Sequence, residues 1–252
     1  MPTEFEPRIY ADINTLTESR KPRDRFLPVL LNNKQCFLPM TKVGPPGHEE
    51  WIAYYDPRFS DLCIHGAYEI AMRLNELKTD VIVTPSSGKS TLLMQYVQFL
   101  MQEKYQKPVD LIVLKKGPPD EMEEEVKFSV FSKIYQPITS GNKDRVMVVS
   151  GDNFQKLSAH LRENHSLAFV DDVYSRGGTA EAGLNLIDQV KQRIGLSVNA
   201  FNPTPLVTVM RECEIDPTGQ LNMPDVPGLW TAIVTPVYQD AHYLSVTGLN
   251  LN

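Results

Sequence analysis

Residues 167–187, LAFVDDVYSRGGTAEAGLNLI, run four apolar side chains straight into Asp171 and Asp172, then spend Ser175, Arg176, Gly177, Gly178 and Thr179 before a helical pattern resumes. Four apolar residues are too few for a helix and suit a buried strand of a parallel sheet, which puts the two aspartates at its carboxyl end. From Thr179 onward Ala180, Leu184, Ile187 and Val190 recur at helical spacing, so the segment reads as strand, tight loop, helix. Gly177 and Gly178 let the backbone approach a bound group, and the amides of Gly178, Thr179 and Ala180 open a helix whose N-terminus attracts an anion. A phosphate fits that end. The paired carboxylates repel the same phosphate and are suited to accept hydrogen bonds from sugar hydroxyls, or to hold a divalent cation directly or through water. The stretch asks for a sugar phosphate.

In this form LAFVDDVYSRGGT resembles the phosphoribosyl pyrophosphate (PRPP) motif of the type I phosphoribosyltransferases, departing from it chiefly at Arg176, where a small hydroxyl residue is common. The resemblance implies that Asp171 and Asp172 hold the ribose hydroxyls and influence Mg²⁺, and that Ser175, Arg176, Gly177, Gly178 and Thr179 hold the 5′-phosphate.

A second loop, TPSSGKSTLL over residues 84–93, follows the strand-like DVIVT (80–84) and opens a helix from about Ser90 to Gln102 whose Leu92, Leu93, Tyr96, Val97 and Leu100 are expected to face inward. GKST also ends a Walker A loop, but that loop needs a glycine five residues before Gly88, where Val83 stands inside the strand. By resemblance, Ser86, Ser87, Gly88, Lys89 and Ser90 form the pyrophosphate-binding loop, joined by Lys115 or Lys116 at the end of LIVLKKGPP. The motifs follow the order of the xanthine and adenine phosphoribosyltransferases over roughly residues 54–187. Ser175 stands where the hypoxanthine-guanine branch usually has an aspartate, so it leans away from that branch.

Elsewhere the chain supplies a scaffold. Ser60 is an expected N-cap for a helix burying Leu62, Ala67, Ile70, Ala71 and Leu74. DLIVLK (110–115), RVMVV (145–149), a helix near 153–164 and PLVTVMREC (205–213) continue the alternation. The expected fold is α/β: an open, mostly parallel central sheet flanked by helices, with a small hood. The expected divisions are an N-terminal extension or hood part over 1–55, a core over 56–215 and a C-terminal hood segment over 216–252. Residues 117–144, with the acidic run EMEEEVK, fall where the family carries a mobile lid. Trp51, Trp230, Tyr238 and Tyr243 are candidates to flank a planar ring, though aromatics more often serve the core.

With 25 basic and 31 acidic side chains among 252 residues, the mildly acidic chain does not favour a nucleic-acid groove. Cys36, Cys63 and Cys213 are widely spaced and odd in number, and no secretory or membrane-length apolar run is present, which suits a reduced cytoplasmic protein. His48, His65, His160, His165 and His242 show no HxxxH or HExxH spacing and read as structural or solvated. The expected activity is transfer of the phosphoribosyl group of PRPP to a purine base by a Mg²⁺-dependent homodimer, without nucleic-acid or membrane partners. A non-catalytic PRPP-binding regulator of the same fold is the alternative. Known regulators of that kind carry an N-terminal helix-turn-helix, a pattern that the proline-rich first 55 residues lack.

Overall fold

Each strand of the parallel core sends alternate side chains to opposite faces, and the helices on those faces take them up. A computed structural model of the chain describes residues 17–18, 25–43, 50–136, 143–198, 203–215 and 221–239. Pro2, Pro7, Pro22, Pro45, Pro46, His48, His242 and Tyr243 lie outside them. In chain order the elements are β1 (Thr17–Glu18), β2 (Arg25–Leu31), β3 (Lys34–Val43), β4 (Glu50–Ala53), α1 (Ser60–Glu76), β5 (Val81–Pro85), α2 (Gly88–Tyr105) and β6 (Asp110–Gly117). They continue with α3 (Glu123–Lys127), β7 (Ser129–Tyr135), β8 (Arg145–Ser150), α4 (Gly151–Arg162), β9 (Leu167–Tyr174), α5 (Gly178–Arg193), β10 (Leu206–Glu214) and β11 (Leu229–Gln239).

The described strands join one sheet in the order β1-β2-β3-β4-β11-β10-β9-β5-β6-β8-β7. From β11 to β6 the neighbours are parallel, and both flanks are antiparallel. The fold is α/β with a mostly parallel central sheet between helices. One face packs Ile82, Ala168, Val170, Val207 and Ile233 against α1, α2 and the β2–β4 meander. The other packs Val81, Val83, Ile112, Phe169 and Leu206 against α4 and α5. Full burial of each such aliphatic side chain contributes about 1.5–3 kcal/mol.

Several local expectations change. The strand at 145–149 runs antiparallel to β6 and not parallel. A parallel return needs a crossover of a dozen or more residues, usually a helix, whereas α3 has only 5 residues and the chain reaches β8 by a hairpin from β7. Ser60 is the first residue of α1; the N-cap is the extended Phe59, with no side-chain cap bond, because the Cys63 amide already bonds the Phe59 carbonyl. Tyr96 turns outward, 43% exposed, since the buried stripe of α2 runs through Leu93, Met94, Val97, Leu100 and Met101. The segment read as a C-terminal hood contributes β11 to the sheet itself, between β10 and β4. Among the described residues no helix is long and apolar enough to cross a membrane.

The contact of α5 with β9 leaves no room at Gly183, where a Cβ would stand 2.1 Å from Cε2 of the buried Phe169 ring. Gly183→Ala is expected to cost about 2–4 kcal/mol, because neither a parallel-sheet ring nor a docked helix can step aside. Urea unfolding with an unchanged midpoint would disprove that reading.

Candidate functional site

The two loops singled out by sequence meet at one hydroxyl. β5 pairs with β9 only as far as Val83 and Phe169, while β10 follows β9 through Asp171 to Tyr174. Beyond Phe169 the edge of β9 facing β5 is therefore open, and α2 begins beside it. The strand runs on past the aspartates, not stopping before them as its apolar run suggested. Across the gap Ser90 Oγ lies 3.0 Å from Asp171 Oδ1 and 3.2 Å from Asp172 Oδ1. Ser87 Oγ, the N-cap of α2, accepts the Ser90 amide at 2.9 Å and lies 2.6 Å from Ser90 Oγ. With Ser87 donating to Ser90 and Ser90 donating to the carboxylates, both serine hydroxyl protons have acceptors.

Asp171 is 5% exposed, and burial first, then the Asp172 charge, push its carboxyl up to about 8; Lys116 opposes the shift. Two neighbouring carboxylates in a buried corner are a place where a cation or a donor-rich ligand lowers the energy. Their hard oxygen donors fit Mg²⁺, and Asp171 and Asp172 are the residues that would hold it.

Each helix start offers anion-binding amides. Gly177, in the left-handed region at φ 87°, caps α5 without any side-chain hydrogen bond, so the first-turn amides keep their donors. A Cβ on Gly177 would stand 2.7 Å from the Tyr174 hydroxyl, and one on Gly178 3.2 Å from the Gln136 carbonyl. Gly88 differs: no atom lies within 4 Å of a Cβ built there, so the free volume beside it belongs to the cleft.

The cleft holds about 970 Å³. It brings together Ser87, Gly88, Lys89, Lys116, Asp171, Asp172, Ser175, Arg176, Gly177, Gly178 and Thr179. Ser86 does not line the cleft, its hydroxyl instead accepting the Lys116 amide at 2.8 Å, and Ser90 lies buried beneath the floor. Lys115 is elsewhere: the pleat of β6 turns it to the opposite face, where Nζ meets Glu125 at 3.2 Å. Lys89 Nζ sits 3.5 Å from the Tyr54 ring centroid. Arg176 is 59% exposed and pairs with Glu214 at 3.2 Å and Glu50 at 3.9 Å, so acids on β10 and β4 hold its guanidinium.

Three groups in the cleft were not singled out residue by residue in the sequence. Ile52, Ala53, Tyr54 and Tyr55 wall the cleft from the end of β4, and Lys133, Ile134, Tyr135 and Gln136 wall it from β7. Trp51 and Trp230 instead pack against the core, and the side chain of Tyr238 is not described. Glu212 on β10 also faces the cleft. Burial is the main cause raising its carboxyl pKa; the Ser175 hydroxyl bonded to it opposes, and Asp172 adds to the rise. Alternation along PLVTVMREC could have pointed to Glu212, but nothing local distinguishes it from Glu214, which is exposed.

No family model matches the chain, and no curated protein matches its sequence. Among solved structures it is similar to the APRTase from Giardia lamblia complexed with 9-deazaadenine, at 13% identity over 77% of this chain and 93% of that one, with a TM-score of 0.49. An adenine phosphoribosyltransferase from Rhodothermus marinus gives 15% identity, the same coverages of 77% and 93%, and a TM-score of 0.44. A purine phosphoribosyltransferase from Pyrococcus horikoshii gives 16%, 67% and 80%, and 0.38.

Proposed function

We propose that the chain is a phosphoribosyltransferase that joins a purine base to the ribosyl group of PRPP and releases pyrophosphate. The observation that carries this reading is the Ser90 bridge, which sets the paired aspartates between two helix N-termini in a single cleft. A sugar carrying a phosphate at each end is the ligand whose charges and hydroxyls match that order. The α5 amides receive the 5′-phosphate, Asp171 and Asp172 the ribose hydroxyls, and the α2 start with Lys116 the diphosphate. When bound, Mg²⁺ would neutralise diphosphate charge and ease its departure. The base nitrogen bonds to C1 as the bond from C1 to the pyrophosphate oxygen breaks. The protein's own part is to hold the reactants and place charge, because an oxocarbenium-like state needs no covalent nucleophile.

Glu212 and Ser175 face the remaining space beside Ile52–Tyr55, which the base occupies in this reading. A carboxylate there accepts a hydrogen bond from a base N–H or amino group. Glu212→Gln is expected to leave PRPP affinity unchanged and to lower kcat/KM for the preferred base ~10–100-fold, the scale of a lost charged hydrogen bond. Because the acceptor form exists only above its raised pKa, wild-type activity gains with rising pH through that point and the variant lacks the gain. An unchanged base preference and pH profile in the variant would remove Glu212 from this role.

The deciding experiment incubates the protein with PRPP, Mg²⁺ and a panel of purines and pyrimidines and follows pyrophosphate and nucleoside monophosphate. Turnover of one or more purines is expected. Binding of PRPP without turnover on any base would make the chain a PRPP-sensing regulator, and turnover of uracil or orotate alone would displace the purine assignment.

A further inference from the structure

The end of the sheet away from the cleft carries a cluster of metal-binding groups built by a helix terminus. α4 stops in a left-handed turn: Asn164 has φ 59°, the His165 amide bonds the His160 carbonyl at 3.0 Å, and the Glu163 amide bonds the Ala159 carbonyl at 3.0 Å. This closure folds the chain back and brings residues 160 and 165 side by side, although no helical spacing would pair them. Their Nδ1 atoms are 2.9 Å apart. Glu163 Oε2 lies 3.6 Å from His165 Nδ1, and one ligand atom from each of the three residues falls within 4.8 Å of the others. On the far side of His160, Nε2 lies 3.2 Å from Asp110 Oδ2, at the first residue of β6.

The proton assignment follows from these distances. Asp110 accepts a hydrogen bond and so favours the proton on His160 Nε2, which leaves His160 Nδ1 with a bare lone pair. His165 Nδ1–H then donates to that lone pair. Both Nδ1 atoms thus share one proton at a spot that a cation can take in its place. A metal about 2.0–2.1 Å from two nitrogens spaces them by roughly 2.9 Å at the right angle of square-planar or octahedral sites and by roughly 3.3–3.4 Å at the tetrahedral angle of Zn²⁺, so the pair opens by a few tenths of an ångström to take Zn²⁺. The carboxylate behind His160 is the arrangement that orients metal-ligating imidazoles.

We propose that His160, Glu163 and His165 form a binding site for a borderline transition metal of the Zn²⁺, Ni²⁺ or Cu²⁺ class, with water completing the coordination and Asp110 orienting His160. Two imidazoles select these ions over Mg²⁺, so the site is chemically distinct from the aspartate pair in the cleft. Occupancy clips the last turn of α4 to the approach to β9, and the His160–Asp110 contact connects that clip to the start of β6. On binding, the His165 proton moves from Nδ1 to Nε2, so both imidazoles ligate through Nδ1 as neutral rings.

Chelator-treated full-length protein titrated with Zn²⁺ is expected to take up one ion per chain at the His160–Glu163–His165 cluster, with micromolar or tighter affinity and a raised melting temperature. Titration with Co²⁺ in place of Zn²⁺ gives a visible spectrum reporting nitrogen ligation. The His160→Ala/His165→Ala double variant should lose both the uptake and the melting shift. Asp110 and Glu163 are exposed, so Asp110→Asn and Glu163→Gln remain folded whatever the double variant does, and both should weaken uptake about 10-fold or more. Asp171→Asn/Asp172→Asn should retain it. Absence of stoichiometric Zn²⁺ or Co²⁺ binding, or uptake indifferent to Asp110→Asn and Glu163→Gln, would overturn the site.

Discussion

Asp171→Asn is expected to make the ligand-free protein more stable near pH 8 while disabling the cleft. Burial and the Asp172 charge hold the Asp171 proton up to about pH 8, whereas in the unfolded chain the same carboxyl ionises near pH 3.8. Between those two values the folded state keeps a proton that the unfolded state has lost. Stability therefore falls as pH rises through this window, and it levels off above the folded value. Asparagine keeps the shape of the protonated acid and cannot ionise, so the variant escapes that loss. The advantage should be absent near pH 4 and reach ~2–4 kcal/mol at pH 8, measured as a gap in melting free energy that opens with pH. A gap that stays flat from pH 4 to 8 would refute the buried-carboxyl account. In the same protein, the double change Asp171→Asn/Asp172→Asn should weaken PRPP and Mg²⁺ binding by about 1–3 kcal/mol, read by calorimetry. A more stable protein that binds less is the signature of a corner strained for its ligand.

Lys116→Ala and Lys115→Ala should differ by about two orders of magnitude in kcat/KM for PRPP, although the residues are adjacent and alike. The pleat of β6 sends Lys116 into the cleft, where its charge opposes the rise of the Asp171 pKa, and turns Lys115 to Glu125 on the other face. In the proposed reaction, loss of a cation beside the departing diphosphate costs ~2–4 kcal/mol of transition-state stabilisation, hence roughly 100-fold or more. Loss of Lys115 removes an exposed, salt-screened ion pair and should stay within about threefold. Equal effects of the two changes would show that the strand face does not decide which lysine serves.

That contrast marks where sequence reading stops. The segments around Val81–Pro85, Gly88–Tyr105, Leu167–Tyr174 and Gly178–Arg193 were legible because buried strands and amphipathic helices write their periods into the chain, and loop glycines mark close approaches. The parity of Lys115 and Lys116 was not legible, since it depends on the strand's orientation in a sheet that local sequence does not state. β7 escaped notice because SVFSKIY is largely exposed and offers little apolar alternation. Glu212 became interesting only when β10 lay beside Ser175. The histidines were dismissed on helical spacing because the turn at Asn164, and not a helix, brings them together. Arg176 shows the reverse case: the motif drew attention to it, and its partners Glu214 and Glu50 come from two distant strands.

The seam between β4 and β11 has a consequence for how the protein is made. Residues 50–53 emerge from the ribosome early, while their sheet neighbour at Leu229–Gln239 is among the last described residues to be synthesised. At ~5–20 residues per second the interval is roughly ten to thirty-five seconds. Throughout it, β4 presents unpaired backbone groups, and β10 waits with an open edge once it forms. Exposed edges of this kind template pairing with other chains. A nascent polypeptide stalled before residue 229 should therefore be a client for holding chaperones, and truncations upstream of that point should aggregate.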